Sequence, residues 1–261
     1  MAKRKTRSST KAQTLSSYNR VLKYADYEVL NINKRKQWEI ELSLLTLREN
    51  GILHEDAEVL GVGAAKEATI YHLSNEVKRV FATDLYVTPG QWHSHIPKDF
   101  LIDPARHKPQ GVTCNSRRIV AQHADMRNLP YEDNSFDAIF SASSIEHVGG
   151  YEDIAQAAKE IGRVLKPGGI ASLSTEWKLR GDGYRHEHIV FFDSDSLQRH
   201  IIDPSGLEPI DELDIEFDCE LSAAVSQPDL VKGKVDPPFV THLHLAQFIF
   251  TSVHLALQKP A

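Results

Sequence analysis

Short apolar runs alternate with helical patterns from residue 58 to residue 175, and that alternation leaves few folds open to the chain. EVLGV at 58–62, RVFAT at 79–83, RIVAQHA at 118–124, SFDAIFSAS at 135–143 and IASLST at 170–175 read as buried strands. Between them, ATIYHLSNE at 68–76 and YEDIAQAAKEIGRVL at 151–165 carry helical spacing, the second through Ile154, Ala158, Ile161 and Leu165. KPGG at 166–169 stops that helix. Strands that alternate with helices pair in parallel, because each connection must cross back over a face of the sheet. The expected fold is therefore α/β and Rossmann-like: a doubly wound, mostly parallel sheet with helices on both faces. The segment HLHLAQFIFTSVHLALQK at 242–259 supplies the last strands, the long one through IFTSVHLAL.

Ahead of this region, NKRKQWEIELSLLTLREN at 33–50 places Trp38, Leu42 and Leu45 on one helical stripe with Ile40, Leu44 and Leu47 beside it. We read it as a packing helix. A basic start, with Lys3, Arg4, Lys5, Arg7 and Lys11, reads as a solvated tail. Two long connections interrupt the alternation, at 85–117 and around SQPDLVKGKVDPP at 226–238. The expected organisation is a disordered tail over 1–15, a helical region over 16–54 and one α/β domain over 55–261, with insertions near 85–117 and 222–240.

The chain has 261 residues, 41% of them apolar, enough for one substantial core. A formal net charge of -6 argues against a duplex nucleic-acid surface and favours a small acceptor. Cys114 and Cys219 stand far apart, so neither a disulfide framework nor a cysteine-rich metal site is expected. With no apolar leader and no run of transmembrane length, a cytoplasmic location is expected.

In an open parallel sheet, ligands bind beyond the carboxyl ends of the strands, where strand order reverses. Gly61, Gly63, Asp84, Asp125, Ser141, Thr175 and Glu176 all fall at that end of consecutive strands. Glycine lets the main chain turn tightly against a ligand. Asp84 follows Gly63 by 21 residues, where a carboxylate can accept from ribose hydroxyls. Lys66 breaks the G-x-G-x-x-G pattern of dinucleotide enzymes and disfavours a nicotinamide oxidoreductase.

Taken together, VLGVGAA at 59–65, TD at 83–84, ADMRNLPYEDNSFDAIFSASSIEHV at 124–148 and RVLKPGG at 163–169 resemble the class I, Rossmann-like S-adenosylmethionine-dependent methyltransferases over residues 55–210. The resemblance implies a seven-stranded sheet with an antiparallel last strand and S-adenosyl-L-methionine as cofactor. It implies that Gly61, Gly63 and Ala64 bend around the methionine end, with Ser141 close by. Asp84 and Leu85 then lie at the ribose, Asp125 accepts from the adenine amino group, and Met126 packs on the ring. Two positions depart from the family pattern: Gly61 stands where an acid is usual and Ala65 where glycine is usual. GVGAAKE, DLY and SSIEH also resemble a bacterial methyltransferase-like group associated with glycan biosynthesis.

The expected activity is methyl transfer to oxygen on a small-molecule or glycan-related acceptor. The alternative is a non-catalytic cofactor-binding or protein-interaction module on the same fold. His147, beside Glu146, is the leading candidate for a general base, since neutral imidazole accepts a proton near neutral pH. Glu176 is the second catalytic candidate. Trp92, Tyr184, Arg185 and His188 are candidates for binding the acceptor. Glu67 is weighed as a helix cap. The H-x-H pairs at 186–188 and 242–244 fit strand alternation, and no metal site is expected. Neither acceptor identity nor oligomeric state is legible.

Overall fold

The computed structural model describes residues 11–12, 34–88, 97–186, 188–213, 225–226, 243–245 and 248–261. A two-residue strand β1 (Lys11–Ala12) precedes helix α1 (Lys34–Glu49). The alternating region follows: β2 (Glu58–Val62), α2 (Ala68–Leu73), β3 (Arg79–Asp84), β4 (Ile119–His123), β5 (Phe136–Ala142), α3 (Tyr151–Val164) and β6 (Leu165–Lys178). A hairpin β7 (Tyr184–His186) and β8 (Ile189–Phe191) comes next. Helix α4 (Ser194–Leu197) then runs through a π-helical turn, Gln198–Ile202, into α5 (Asp203–Ser205). Short strands β9 (Glu208–Pro209), β10 (Val225–Ser226) and β11 (Leu243–Leu245) lead to the long β12 (Phe248–Gln258).

The sheet order is β10-β11-β12-β6-β5-β2-β3-β4, with β1 and β9 also pairing β12. β2 through β6 are mutually parallel, and β12 runs antiparallel to β6 from Phe250 opposite Lys178 to Gln258 opposite Ile170. The mostly parallel sheet with an antiparallel last strand is thus present. Five parallel strands and β12 form its body, and short strands flank β12. The chain builds outward from β2 through β3 to β4, then returns to the other side of β2 with β5. Strand order therefore reverses between β2 and β5, and a crevice is expected at their carboxyl ends.

Alternation along the strands divides the core. Leu60, Ile139, Ala171, Leu173, Val253 and Leu255 face one side with Ile154, Ala157, Ala158 and Ile161 of α3. Val59, Val80, Ala82, Ala138 and Phe140 face the other with Leu44 and Leu47 of α1 and Ile70, Tyr71 and Leu73 of α2. Each fully buried Val, Leu, Ile or Phe among them stabilises by roughly 1.5–3 kcal/mol. Trp38, Leu42 and Leu45 form their own cluster, as their stripe suggests. Polar residues of the same helix are buried too: Glu39, Glu41, Ser43 and Thr46. α1 is therefore more than an apolar packing surface.

Two boundaries differ from expectation. α3 ends at Val164, and Leu165 opens β6 opposite Phe136 of β5. β6 runs on to Lys178 because β12 pairs with it through Trp177 and Lys178. The described part of the 85–117 connection is held by three 3-10 turns, with Phe100 fully buried and stacked on Tyr86 at 5.2 Å.

Candidate active site

At the end of β2 the chain turns through Gly63, whose φ of +61° lies in the left-handed region that glycine enters without strain. A side chain there would bring Cβ to 2.5 Å from Ser144 Cβ, so the loops after β2 and β5 meet with no room for one. The Ser144 hydroxyl donates to the Gly63 carbonyl at 2.8 Å. Ala65, with φ +44°, takes the same conformation despite its Cβ, at a cost of about 1–2 kcal/mol. Two bonds hold it there. Its amide donates to Asp84 Oδ2 at 2.9 Å, and its carbonyl accepts from the Tyr86 hydroxyl at 2.7 Å. This is how alanine serves where the resemblance puts glycine.

Gly61 lies within β2, and a Cβ there would stand 2.4 Å from Cζ of Phe140 on the neighbouring β5. The Phe140 ring fills the space an acidic side chain at that position would need. Ala64, fully buried, donates its amide to the Thr83 carbonyl at 3.0 Å. Asp84 braces the whole turn, since its Oδ1 also accepts from the amide of the half-exposed Leu85 at 2.7 Å.

Asp125 follows β4, where both carboxylate oxygens accept from Arg127, the shortest contact being Nη2 to Oδ2 at 2.6 Å. Arg127 Nη1 continues to Asp153 Oδ1 at 2.9 Å, tying this loop to the first turn of α3. Hydrogen bonds from the Arg127 side chain are the main cause holding the Asp125 carboxyl below its usual range. Met126 is buried, and its Cε lies 3.0 Å from the Cβ position of Gly63, so it reaches the glycine turn. Ser141 is buried inside β5, and its hydroxyl has no hydrogen-bond partner, nor has that of Ser143 just beyond. Orphaned hydroxyls beside a cradle that a Cβ would fill are what a crevice built for a polar ligand presents.

A charged group stands at the same place. Lys36 of α1 donates its ammonium to the Ala142 carbonyl at the end of β5 and lies 3.2 Å from both Glu39 and Glu67 carboxylates. Glu67, weighed from sequence as a helix cap, makes no side-chain cap bond to α2 and turns to Lys36 instead. Burial pushes its carboxyl up to about 7 against the pull of Lys36. Glu146, fully buried after β5, accepts from Thr175 Oγ1 at 2.9 Å, and burial likewise pushes it up to about 7. Lys36 and Glu39 gave no signal in the sequence beyond a helix with polar positions, and Arg127 none beyond its place next to Asp125 and Met126.

His147 lies beside Glu146, its Nδ1 3.0 Å from the His188 carbonyl and its Nε2 3.9 Å from Glu146 Oε1. His188 thus reaches the site through its main chain. Glu176 requires a correction. Expected just past the fifth strand, it lies within β6, 3% exposed and opposite Ser252 of β12, because pairing with β12 extends the strand beyond it. Arg185 brings Nη1 to 3.3 Å from the Cβ position of Gly150, at the start of α3, while Tyr184 is 43% exposed under Lys178. Trp92, Glu187 and His242 lie outside the described residues. Among the described residues no group of three or more His, Cys, Asp or Glu is arranged to hold a metal, and no helix is long and apolar enough to cross a membrane.

Residues 60–173 match a family model described as a methyltransferase domain. A demethylmenaquinone methyltransferase of Staphylococcus haemolyticus is 48% identical over 58 residues, which are 22% of this chain and 23% of that one. The chain thus spans about a quarter of the length of this curated relative. A putative sarcosine dimethylglycine methyltransferase from Galdieria sulphuraria superposes with a TM-score of 0.56 at 15% identity, covering 85% of both chains. A Burkholderia thailandensis 1,6-didemethyltoxoflavin-N1-methyltransferase, solved with bound 1,6-didemethyltoxoflavin and S-adenosylhomocysteine, gives a TM-score of 0.52 at 16% identity, covering 95% of this chain and 85% of that one. The fold is that of the class I methyltransferases.

Proposed function

We propose that this chain, with its class I fold and its methyltransferase-domain match over residues 60–173, is a methyltransferase that uses S-adenosyl-L-methionine. The observation that carries the reading is the crevice between β2 and β5. It lies at the reversal of strand order, where the left-handed Gly63 is pressed against Ser144 and the Ser141 and Ser143 hydroxyls have no partner. These residues fit the cofactor. Gly63, Ala64 and Ser141 would hold its amino-acid end, Asp84 and Leu85 its ribose, and Asp125 and Met126 its adenine.

The cofactor supplies an already activated methyl group, so the protein needs no nucleophile of its own. What the chain's residues do is align the acceptor, exclude water and take a proton. Orientation alone supplies about 7–11 kcal/mol in favourable intramolecular comparisons. His147 is our candidate to take the acceptor's proton. A bond from Nδ1 to the His188 carbonyl puts the ring proton on Nδ1, and the neutral ring then presents a basic Nε2. Such proton transfer contributes typically 10²–10⁴-fold. The acceptor we propose is a small molecule with a hydroxyl, of the glycan-related kind, and Arg185, Tyr184, His188 and Trp92 are the candidates for its recognition.

Titration calorimetry with S-adenosylhomocysteine tests the assignment. Asp84→Ala removes the brace of the glycine turn and should weaken binding by about tenfold or more, the equivalent of one charge-assisted hydrogen bond. Asp125→Ala should do the same. Unchanged affinity in both variants, folded by circular dichroism, would remove these residues from the site.

A further inference from the structure

The hairpin of β7 and β8 packs on the loop after β5 and touches it at two places. The His188 carbonyl, in the hairpin's turn, stands 3.0 Å from His147 Nδ1, and Arg185 Nη1 stands 3.3 Å from the Cβ position of Gly150. Register decides which side chain of β7 looks at that loop. Opposite residues of an antiparallel pair point to one face, and Arg185 is opposite Val190, which is fully buried in the same core cluster as Ile145 of the loop. Tyr184 is opposite Phe191, one residue out of phase, and takes the other face, where Lys178 Nζ lies 5.9 Å from its ring centre. Of these two candidates for the acceptor, Arg185 is the one directed at the loop that carries His147.

The Arg185 guanidinium is exposed and, among the described residues, makes no hydrogen bond or ion pair. The neighbouring acid is already engaged: Asp153 Oδ1 accepts from Arg127 Nη1 at 2.9 Å, and its Oδ2 accepts from the Gly150 amide at 3.0 Å. Arg127, the other guanidinium at this corner, is held by Asp125 and Asp153. Gly150 has no side chain to cover Arg185, and a Cβ there would come up against its Nη1. What remains is a planar fork of donors, open beside the loop of the candidate base. Such a fork matches the paired oxygens of a carboxylate or a phosphate, whereas hydroxyls would use its donors and leave its charge to water.

We propose that Arg185 selects an acceptor whose hydroxyl is accompanied by an oxyanion, a carboxylate or a phosphate, which the guanidinium receives. The proposal rests on the methyltransferase reading and narrows its acceptor to an acid. Gly150 follows His147 by three residues, at most about 11 Å of extended chain, so one small hydroxylated acid can reach from one to the other. The hairpin joins the two ends of that acceptor physically: three residues separate Arg185 from His188, whose carbonyl fixes the His147 ring. Arg185 is thus a specificity residue, acting on the acceptor by charge and by the direction of its fork.

The full chain, incubated with methyl-labelled S-adenosyl-L-methionine and a small-molecule extract of cells, provides the test without a chosen acceptor. The labelled product should be retained on an anion-exchange resin, and phosphatase treatment, which releases a phosphate product and leaves a carboxylate one, distinguishes the two oxyanions. Arg185→Gln should form about 10- to 100-fold less of that product, as expected for loss of a charge-assisted pair. Arg185→Lys should recover part of it, keeping the charge without the fork. S-adenosylhomocysteine affinity, read by calorimetry, should stay within about twofold in both variants, because the proposed site holds the acceptor and not the donor. An unretained product, or equal labelling by Arg185→Gln, overturns the oxyanion site, and so does a parallel loss of S-adenosylhomocysteine affinity, which would make the residue structural. If the wild type labels nothing, inorganic phosphate decides: broadening of its phosphorus NMR line that Arg185→Gln abolishes keeps the site, and equal or absent broadening removes it. Wild-type affinity for S-adenosylhomocysteine then says separately whether the methyltransferase reading stands.

Discussion

The bond between His147 Nδ1 and the His188 carbonyl gives the imidazole a defined tautomer before any acceptor arrives. Replacing His147 with Ala should therefore leave S-adenosylhomocysteine affinity near that of the wild type and slow methyl transfer by roughly 10²–10⁴-fold. Turnover unchanged with the true acceptor would reject the base assignment. Glu67 and Glu146 make a separate claim on pH. Both are raised from an ordinary 4.5 to about 7, so between those values the native chain holds more protons than the unfolded one. Stability then falls as pH rises through that window, by up to about 1.4 kcal/mol per unit for each group. Glu146→Gln lacks this penalty and keeps an acceptor for Thr175. Its melting temperature relative to wild type should climb from pH 5 to pH 8, and a flat difference would contradict the buried, raised carboxyl. Residue identity made the glycine turn, Asp84 and Asp125 visible in the sequence. It concealed Lys36 and Glu39, because a charged helix position reads as solvated until a tertiary contact buries it.

Among the elements, α3 shows what one missing methyl group permits. A Cβ at Gly162 would fall 1.8 Å from the Ser205 carbonyl oxygen, so α3 and α5 are packed backbone to side-chain-free backbone. Gly162→Ala must push α5 away, and overpacking of this kind typically costs about 1–3 kcal/mol. Urea denaturation should show a lower midpoint with an unchanged slope; an unaltered midpoint would mean that the contact is loose. The helices and parallel strands were legible because each carries its own period, as in Ile154, Ala158 and Ile161 on α3. The extent of β6 was not. Glu176 belongs to the strand because β12, more than seventy residues later, pairs with it, and no local pattern contains that fact. The pairing of Arg127 with Asp125 and Asp153 escaped for the same reason, since Asp153 comes from the next helix.

At the scale of the molecule, the sheet brings the carboxyl ends of β2, β3, β4 and β5 to one rim and reverses its order between β2 and β5. Three things meet there: the Gly63 turn, the Ser144 loop, and a buried acidic cluster built partly by α1. The order of elements in the sequence was enough to predict that rim, whereas the contribution of α1 to it depends on how the helix docks. This crevice is the proposed seat of S-adenosyl-L-methionine. The most direct measurement is the difference electron density of crystals grown with S-adenosylhomocysteine. Density is expected over Gly63 between β2 and β5, with the ribose toward Asp84 and the adenine toward Met126. Density elsewhere on the chain, or none there at saturating ligand, would contradict it.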